Sequence, residues 1–256
     1  MAKRGRPSNN GEPPSAKRGR LADDADPGDS ANALRGYRPG MHGWRRYEQT
    51  RLQQEYNTQV TGSEFESEHA VGFEPLNRTS GFARGTAGRP SILENRAPAY
   101  QEIRELHRGH IGTGNRGYDR NDSGFTSRTY RDAQRGALED SDASSAVQLN
   151  QLDYAFNPRF GQLAGSTEGQ AATDSYNLMV REMTEFTYAQ GAQDVTFTVS
   201  KGARIEMMAA RRMAQTGNWD VNALQRLGNL DIDMDSTAAM TNAEAEEILE
   251  ILAAIL

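Results

Sequence analysis

The chain has no cysteine. That absence excludes a disulfide framework, a cysteine-based zinc finger and a thiol nucleophile. Any metal site is left to His, Asp, Glu or Asn. Aromatic residues are scarce, at 7%, and hydrophobic residues make up only 36% of 256 positions. Such a composition predicts a modest core and much irregular chain. No apolar run approaches the roughly 20 residues that span a bilayer, so no membrane is expected among the partners. The start of the chain is basic but carries no apolar stretch of a signal peptide.

What is present is polarised. Lys3, Arg4, Arg6, Lys17, Arg18 and Arg20 face only Glu12 in the first 20 residues. At the other end, Asp231, Asp233, Asp235, Glu244, Glu246, Glu247 and Glu250 stand without a base over 229–256. The formal net charge of −6 therefore says less about partners than its distribution does. Three parts are expected: a disordered basic tail over 1–40, a globular domain over 41–228, and an acidic segment over 229–256 ending in an amphipathic helix. The clusters KRGR and AKRGR resemble a bipartite nuclear localisation signal. RGRP, Arg4 to Pro7, resembles an AT-hook core, in which Arg side chains sit in the strongly negative narrow minor groove. The plain alternative is a solvated basic tail that binds polyanions weakly. The expected location is the nucleus in a eukaryotic cell, and otherwise the cytoplasm or that of a delivered effector.

Hydrophobic spacing predicts a helix over 41–60, turns and extended pieces over 61–95, and a helix over AYQEIRELHRGH with Tyr100, Ile103 and Leu106 as its core stripe. Gly112, Gly114 and Gly117 end that helix. Further helices are expected near 127–138, 144–156 and 168–189, the last presenting Tyr176, Met179, Met183, Phe186 and Tyr188. Residues 193–200 alternate as a strand, and helices follow at 201–217 and 219–227. Thr241 and Glu244 form a capping-box pattern before a helix with Ile248, Ile251, Leu252 and Ile255 on one face. The class is α+β, mainly helical.

Two motifs are set aside. GTGNRG matches the dinucleotide fingerprint, but a charged helical pattern precedes it where an apolar strand is required. Asp231, Asp233 and Asp235 start like an EF-hand loop, which then needs Gly and Glu where Ser236 and Asn242 stand. The histidines say more. His107 and His110 are three residues apart, a spacing that puts both on one face of a helix and suits a divalent metal. The plain alternative is two surface histidines on a polar helix.

Upstream lie ESEH, with Glu68 beside His69, and LEN, with Asn95. This order of acid–His, Asn, His and His over 64–115 resembles the HNH branch of the ββα-metal (His-Me finger) nucleases, as carried by polymorphic toxins. The resemblance implies a small ββα-metal-like core with additional helices. It implies His69 as the general base, Asn95 as the residue that orients it, and Glu68, His107 and His110 as metal ligands. The metal would be Mg, Mn, Zn or Ni. A second mapping places R-G-H, ending at His110, on the motif of the DNA/RNA non-specific endonucleases. His110 is then the base, with Asn150 or Asn157 as ligand and Glu182 in support. Arginines concentrated over 78–135, including Arg96, Arg104 and Arg108, fit a nucleic-acid substrate, as do Arg4 and Arg6 in the tail.

The expected function is thus a metal-dependent endonuclease, a toxin-type effector acting on DNA ahead of RNA. The alternative is a non-catalytic nuclear nucleic-acid-binding or scaffold protein. The C-terminal helix is expected to pack on the core, or else to engage an inhibitor, an immunity protein or another partner.

Overall fold

The computed structural model describes residues 38–57, 64–81, 95–113, 126–191 and 193–255. Arg4 and Arg6 lie outside them. The fold is α+β and mainly helical, with two small antiparallel sheets.

A 3-10 turn at His42–Trp44 leads into α1 (Arg45–Tyr56). β1 (Phe65–His69) pairs antiparallel with β2 (Ala99–Ile103), Phe65 opposite Ile103 and His69 opposite Ala99. Between them in sequence runs α2 (Phe73–Ser80). β2 passes directly into α3 (Arg104–Gly109), followed by a 3-10 turn at Ile111–Thr113. Then come α4 (Ser127–Glu139), α5 (Ala143–Tyr154), α6 (Pro158–Ala164) and α7 (Thr167–Glu182). β3 (Glu185–Gln190) and β4 (Gln193–Thr198) form a hairpin, and α8 (Lys201–Thr216), α9 (Val221–Gly228) and α10 (Asn242–Ala253) complete the chain.

Three departures from the expected elements have physical causes. Tyr100 and Ile103 belong to a strand, and the helix begins only at Arg104. Ala99 through Glu102 are all buried, so β2 shows no alternation to separate it from a helix start. The helix expected over 168–189 stops at Glu182; Phe186 and Tyr188 then point inward from β3 while Glu185 and Thr187 face out. The third is α2, within a stretch read as turns. Gly72 precedes it, Pro75 sits in its first turn where no backbone donor is needed, and Gly81 ends it at φ 69°.

The main core gathers Met179 and Val180 of α7 and Met207, Met208 and Met213 of α8. Ile248, Ile251 and Leu252 of α10, and Ile255 just beyond it, are buried in the same cluster. Arg212 closes that helix, donating to the carbonyls of Leu252 at 3.0 Å and Ile255 at 2.6 Å.

A charge lies at the centre of the molecule. Arg211 of α8 is 2% exposed and pairs with the fully buried Glu102 of β2 at 3.0 Å. Its Nη1 also donates to Gln151 Oε1 at 3.0 Å, and its Nε to Thr173 Oγ1 at 3.2 Å. The guanidinium lies 5.2 Å from the Tyr176 ring centroid and 5.4 Å from that of Tyr100. From there a polar chain runs outward. Gln151 Nε2 donates to Asn150 Oδ1 at 2.7 Å, and Asn150 Nδ2 donates to Glu68 Oε1 at 3.3 Å. The core charge is thereby wired to the end of β1.

Candidate active site

Side chains alternate along a strand, and β1 uses both faces for chemistry. Glu66 and Glu68 turn toward α3, where both approach His107. Ser67 and His69 turn the other way, toward His42. The Ser67 hydroxyl lies 2.8 Å from His42 Nδ1, and the rings of His42 and His69 stack with centroids 4.4 Å apart. Because β1 ends at His69, Glu68 and His69 can still border one space. That space is a cavity of about 320 Å³ whose walls include Ser67, Glu68, His69, His107, His110, Arg131 and Asn150.

Glu68 is buried, yet ionised. Burial alone would raise its pKa, but His107 and the hydrogen bonds around it hold it down at about 2. Its carboxylate contacts His107 Nδ1 and accepts from the Tyr154 hydroxyl at 3.1 Å. For His107, burial pulls the pKa down, and the Glu68 charge and hydrogen bond overcome it, with Glu66 adding to the rise. With Nδ1 committed to Glu68, Nε2 is the working atom of His107; it lies 3.6 Å from Glu66 Oε2. His42 is driven the other way, to about 2, first by burial and then by the charges of His69, Arg45 and His107. Its ring is neutral.

Glu68 stabilises the fold above its ordinary value of 4.5 and loses that contribution as pH falls toward about 2. His107 stabilises it below 6.5 and loses that contribution as pH rises through its raised value. The pair is therefore worth most in the weakly acidic window. The melting-temperature difference between wild type and Glu68→Gln, plotted against pH, should peak between 4.5 and 6.5. A flat difference would mean that no such ion pair exists.

His110 behaves differently from His107. The helix ends at Gly109, and His110 takes an extended conformation (φ −65°, ψ 139°), so the two rings do not share a helix face. That corrects the expected i, i+3 geometry. His110 Nδ1 accepts from the Gly112 amide at 3.0 Å, and Nε2 donates to the Asn150 carbonyl at 3.1 Å, with Asp153 Oδ2 at 3.3 Å. Both nitrogens are thus engaged by the protein, and the ring packs edge-on against Tyr130.

The other expected residues divide. Asn95 is buried ahead of β2 and is not among the residues lining the cavity. Asn150 lines it and ties Glu68 to the core, whereas Asn157 is spent on capping α6. Glu182 closes α7 and lies outside the cavity lining. Arg104 and Arg108 both reach Glu66, at 3.3 and 2.5 Å, so their charge is partly neutralised. Arg96 is exposed. Sequence spacing did not single out His42, Ser67, Tyr154 or Arg131. The i, i+2 pairing of Ser67 with His69 was the available signal for the first two.

Among the described residues, no group of three or more His, Asp or Glu is arranged to hold a metal ion. The two donors closest to that role, Glu68 and His107, are bonded to each other. They do not fit a resident cation as they stand. A larger cavity of about 440 Å³, between α7, α8 and α10, has no imidazole in its lining.

No curated protein and no solved structure matches the chain. A family model described as Agrobacterium VirD5 protein matches residues 4–227.

Proposed function

The chain belongs to the Agrobacterium VirD5 protein family, and within it we propose a toxin-type effector whose histidine-lined cavity hydrolyses phosphodiester bonds of nucleic acid, DNA ahead of RNA. The observation that carries this reading is the buried Glu68–His107 pair opening on the same cavity as His69. The order β1, β2, α3 supports a ββα-like core, since it brings the acid–His end of one strand beside a histidine on the helix that follows the other.

The division of labour follows from the surroundings. His69, at the strand end, acts as general base toward a water molecule, with the stacked His42 ring fixing its plane. His107 is held by Glu68 with Nε2 outward. Glu68 beside it raises its pKa, and in its protonated form it offsets charge on the phosphorane and protonates the leaving oxygen. Glu68 remains an anion throughout and orients the imidazole.

The experiment incubates purified protein with supercoiled plasmid and with single-stranded RNA, in Mg, Mn, Ni or Zn and in chelator. Cleavage is expected in at least one condition. Cleavage in chelator would assign the charge to His107 alone. Metal dependence would mean that the Glu68–His107 bond opens to admit a cation. Intact substrate in every condition would sink the proposal, and retained binding without cleavage would leave the non-catalytic nucleic-acid-binding reading.

A further inference from the structure

We infer that Arg131 forms a phosphoryl-binding subsite in this cavity, an inference that rests on the phosphodiester reading above. Arg131 projects from α4 into the wall that also holds Glu68, His69 and His107. A guanidinium has five N–H donors. Among the described residues Arg131 uses one, from Nη2 to the Gly112 carbonyl at 3.1 Å. Its Nε is buried and has no hydrogen-bond partner. Two other arginines of α4 have a carboxylate near them: Arg128 lies 3.9 Å from Asp132, and Arg135, whose Nε likewise makes no hydrogen bond, lies 3.5 Å from Glu139. Among the described residues Arg131 has no such acid.

The carboxylates of the cavity wall are already committed. Glu68 serves His107, Tyr154 and Asn150, and Glu74 accepts from Arg78 at 3.1 Å. With these carboxylates and His107 paired to one another, the Arg131 guanidinium is the charge on this wall without an acid among the described residues, so an anion is the complementary ligand. A planar guanidinium with Nη donors to spare beyond the one given to Gly112 matches the oxygens of one phosphate.

The anchor of Arg131 is built with little tolerance. Gly112 presents its carbonyl to Arg131 while its amide donates to His110. A Cβ at position 112 would lie 2.8 Å from His110 Nδ1 and 3.1 Å from Tyr130 Cε1. His110 thus holds the turn that holds Arg131. This gives His110 a positioning role in the cavity with both nitrogens occupied.

Binding is measured in chelator with inorganic phosphate and with a 12-nucleotide single-stranded DNA, so that no turnover intervenes. Arg131→Gln is expected to weaken phosphate binding about tenfold and to lower the salt-dependence slope for the oligonucleotide by about 0.7, one contact's worth for a single strand. Arg128→Gln, exposed and outside the cavity lining, should leave both unchanged. In wild-type protein, phosphate titration should shift the Arg131 Nε–H resonance, a readout that needs no variant to fold. An unshifted resonance, or wild-type affinity and slope in a folded Arg131→Gln, overturns the subsite. Phosphate binding through Arg131 with no cleavage of any substrate would leave the subsite standing and remove the hydrolytic reading. Cleavage by Arg131→Gln with the wild-type KM and salt slope would remove the subsite alone.

Discussion

His69→Ala is expected to slow phosphodiester cleavage by about 10²- to 10⁴-fold, the usual weight of a positioned acid or base. His107→Ala should fall in the same range, because it removes the cation and leaves Glu68 buried beside Tyr154 and Asn150. The two should differ in stability. His69 sits at a strand end, and its loss removes a ring stack with His42 but strands no charge, so it lowers the melting temperature less. Loss of His107 strands a buried carboxylate and lowers it more. His110→Ala should behave as a third type, losing the acceptor that holds the Gly112 amide and with it affinity for anionic ligands. Initial rates of plasmid nicking, read beside melting curves for each variant, separate the three. His69→Ala cutting as fast as wild type would remove His69 as the base.

The second large effect is expected far from the cavity. Arg211→Met should destabilise the fold by about 3–5 kcal/mol, because Glu102 then stays buried without its cation. The paired variant Arg211→Met with Glu102→Gln should recover much of that loss, since the uncompensated charge is gone. Urea unfolding of the two singles and the double gives the coupling directly. Single variants costing less than about 1 kcal/mol would show that solvent reaches the pair and screens it. A partial readout in the cavity is also expected. Gln151 links Arg211 to Asn150, and Asn150 links onward to Glu68, so disturbing the core charge should blunt the pH peak of the Glu68–His107 pair.

Long, regularly spaced segments were legible before the structure. The helices at α4, α5 and α8, the strand at β4 and the capping box before α10 all follow local rules, and local rules can be read from one sequence. β2 was not legible, because burial of four consecutive residues erases the period-two signal. Glu68, His69 and His107 could be picked out as a group because an acid beside a histidine, far from a second histidine, has few structural reasons to recur. His42 could not, since it joins the site through a ring stack across 27 positions of sequence. Arg131 was hidden for a different reason. It is one of many arginines over 78–135, and only the positions of the described acids in space show that none of them pairs with it. Asn95 fits the motif order and still lies away from the cavity lining, since order along a chain does not fix direction.

The pairing of Phe65 with Ile103 has a consequence beyond holding two strands together. A slip of one residue would turn every side chain of β1 to the opposite face. The carboxylates of Glu66 and Glu68 would then meet the neutral ring of His42, and Ser67 and His69 would meet α3. The same atoms would remain in the same neighbourhood with base, anion and cation assigned to the wrong partners. Register in this sheet therefore acts as an address, and a single insertion or deletion inside FESEH would misdeliver the chemistry without removing any of it.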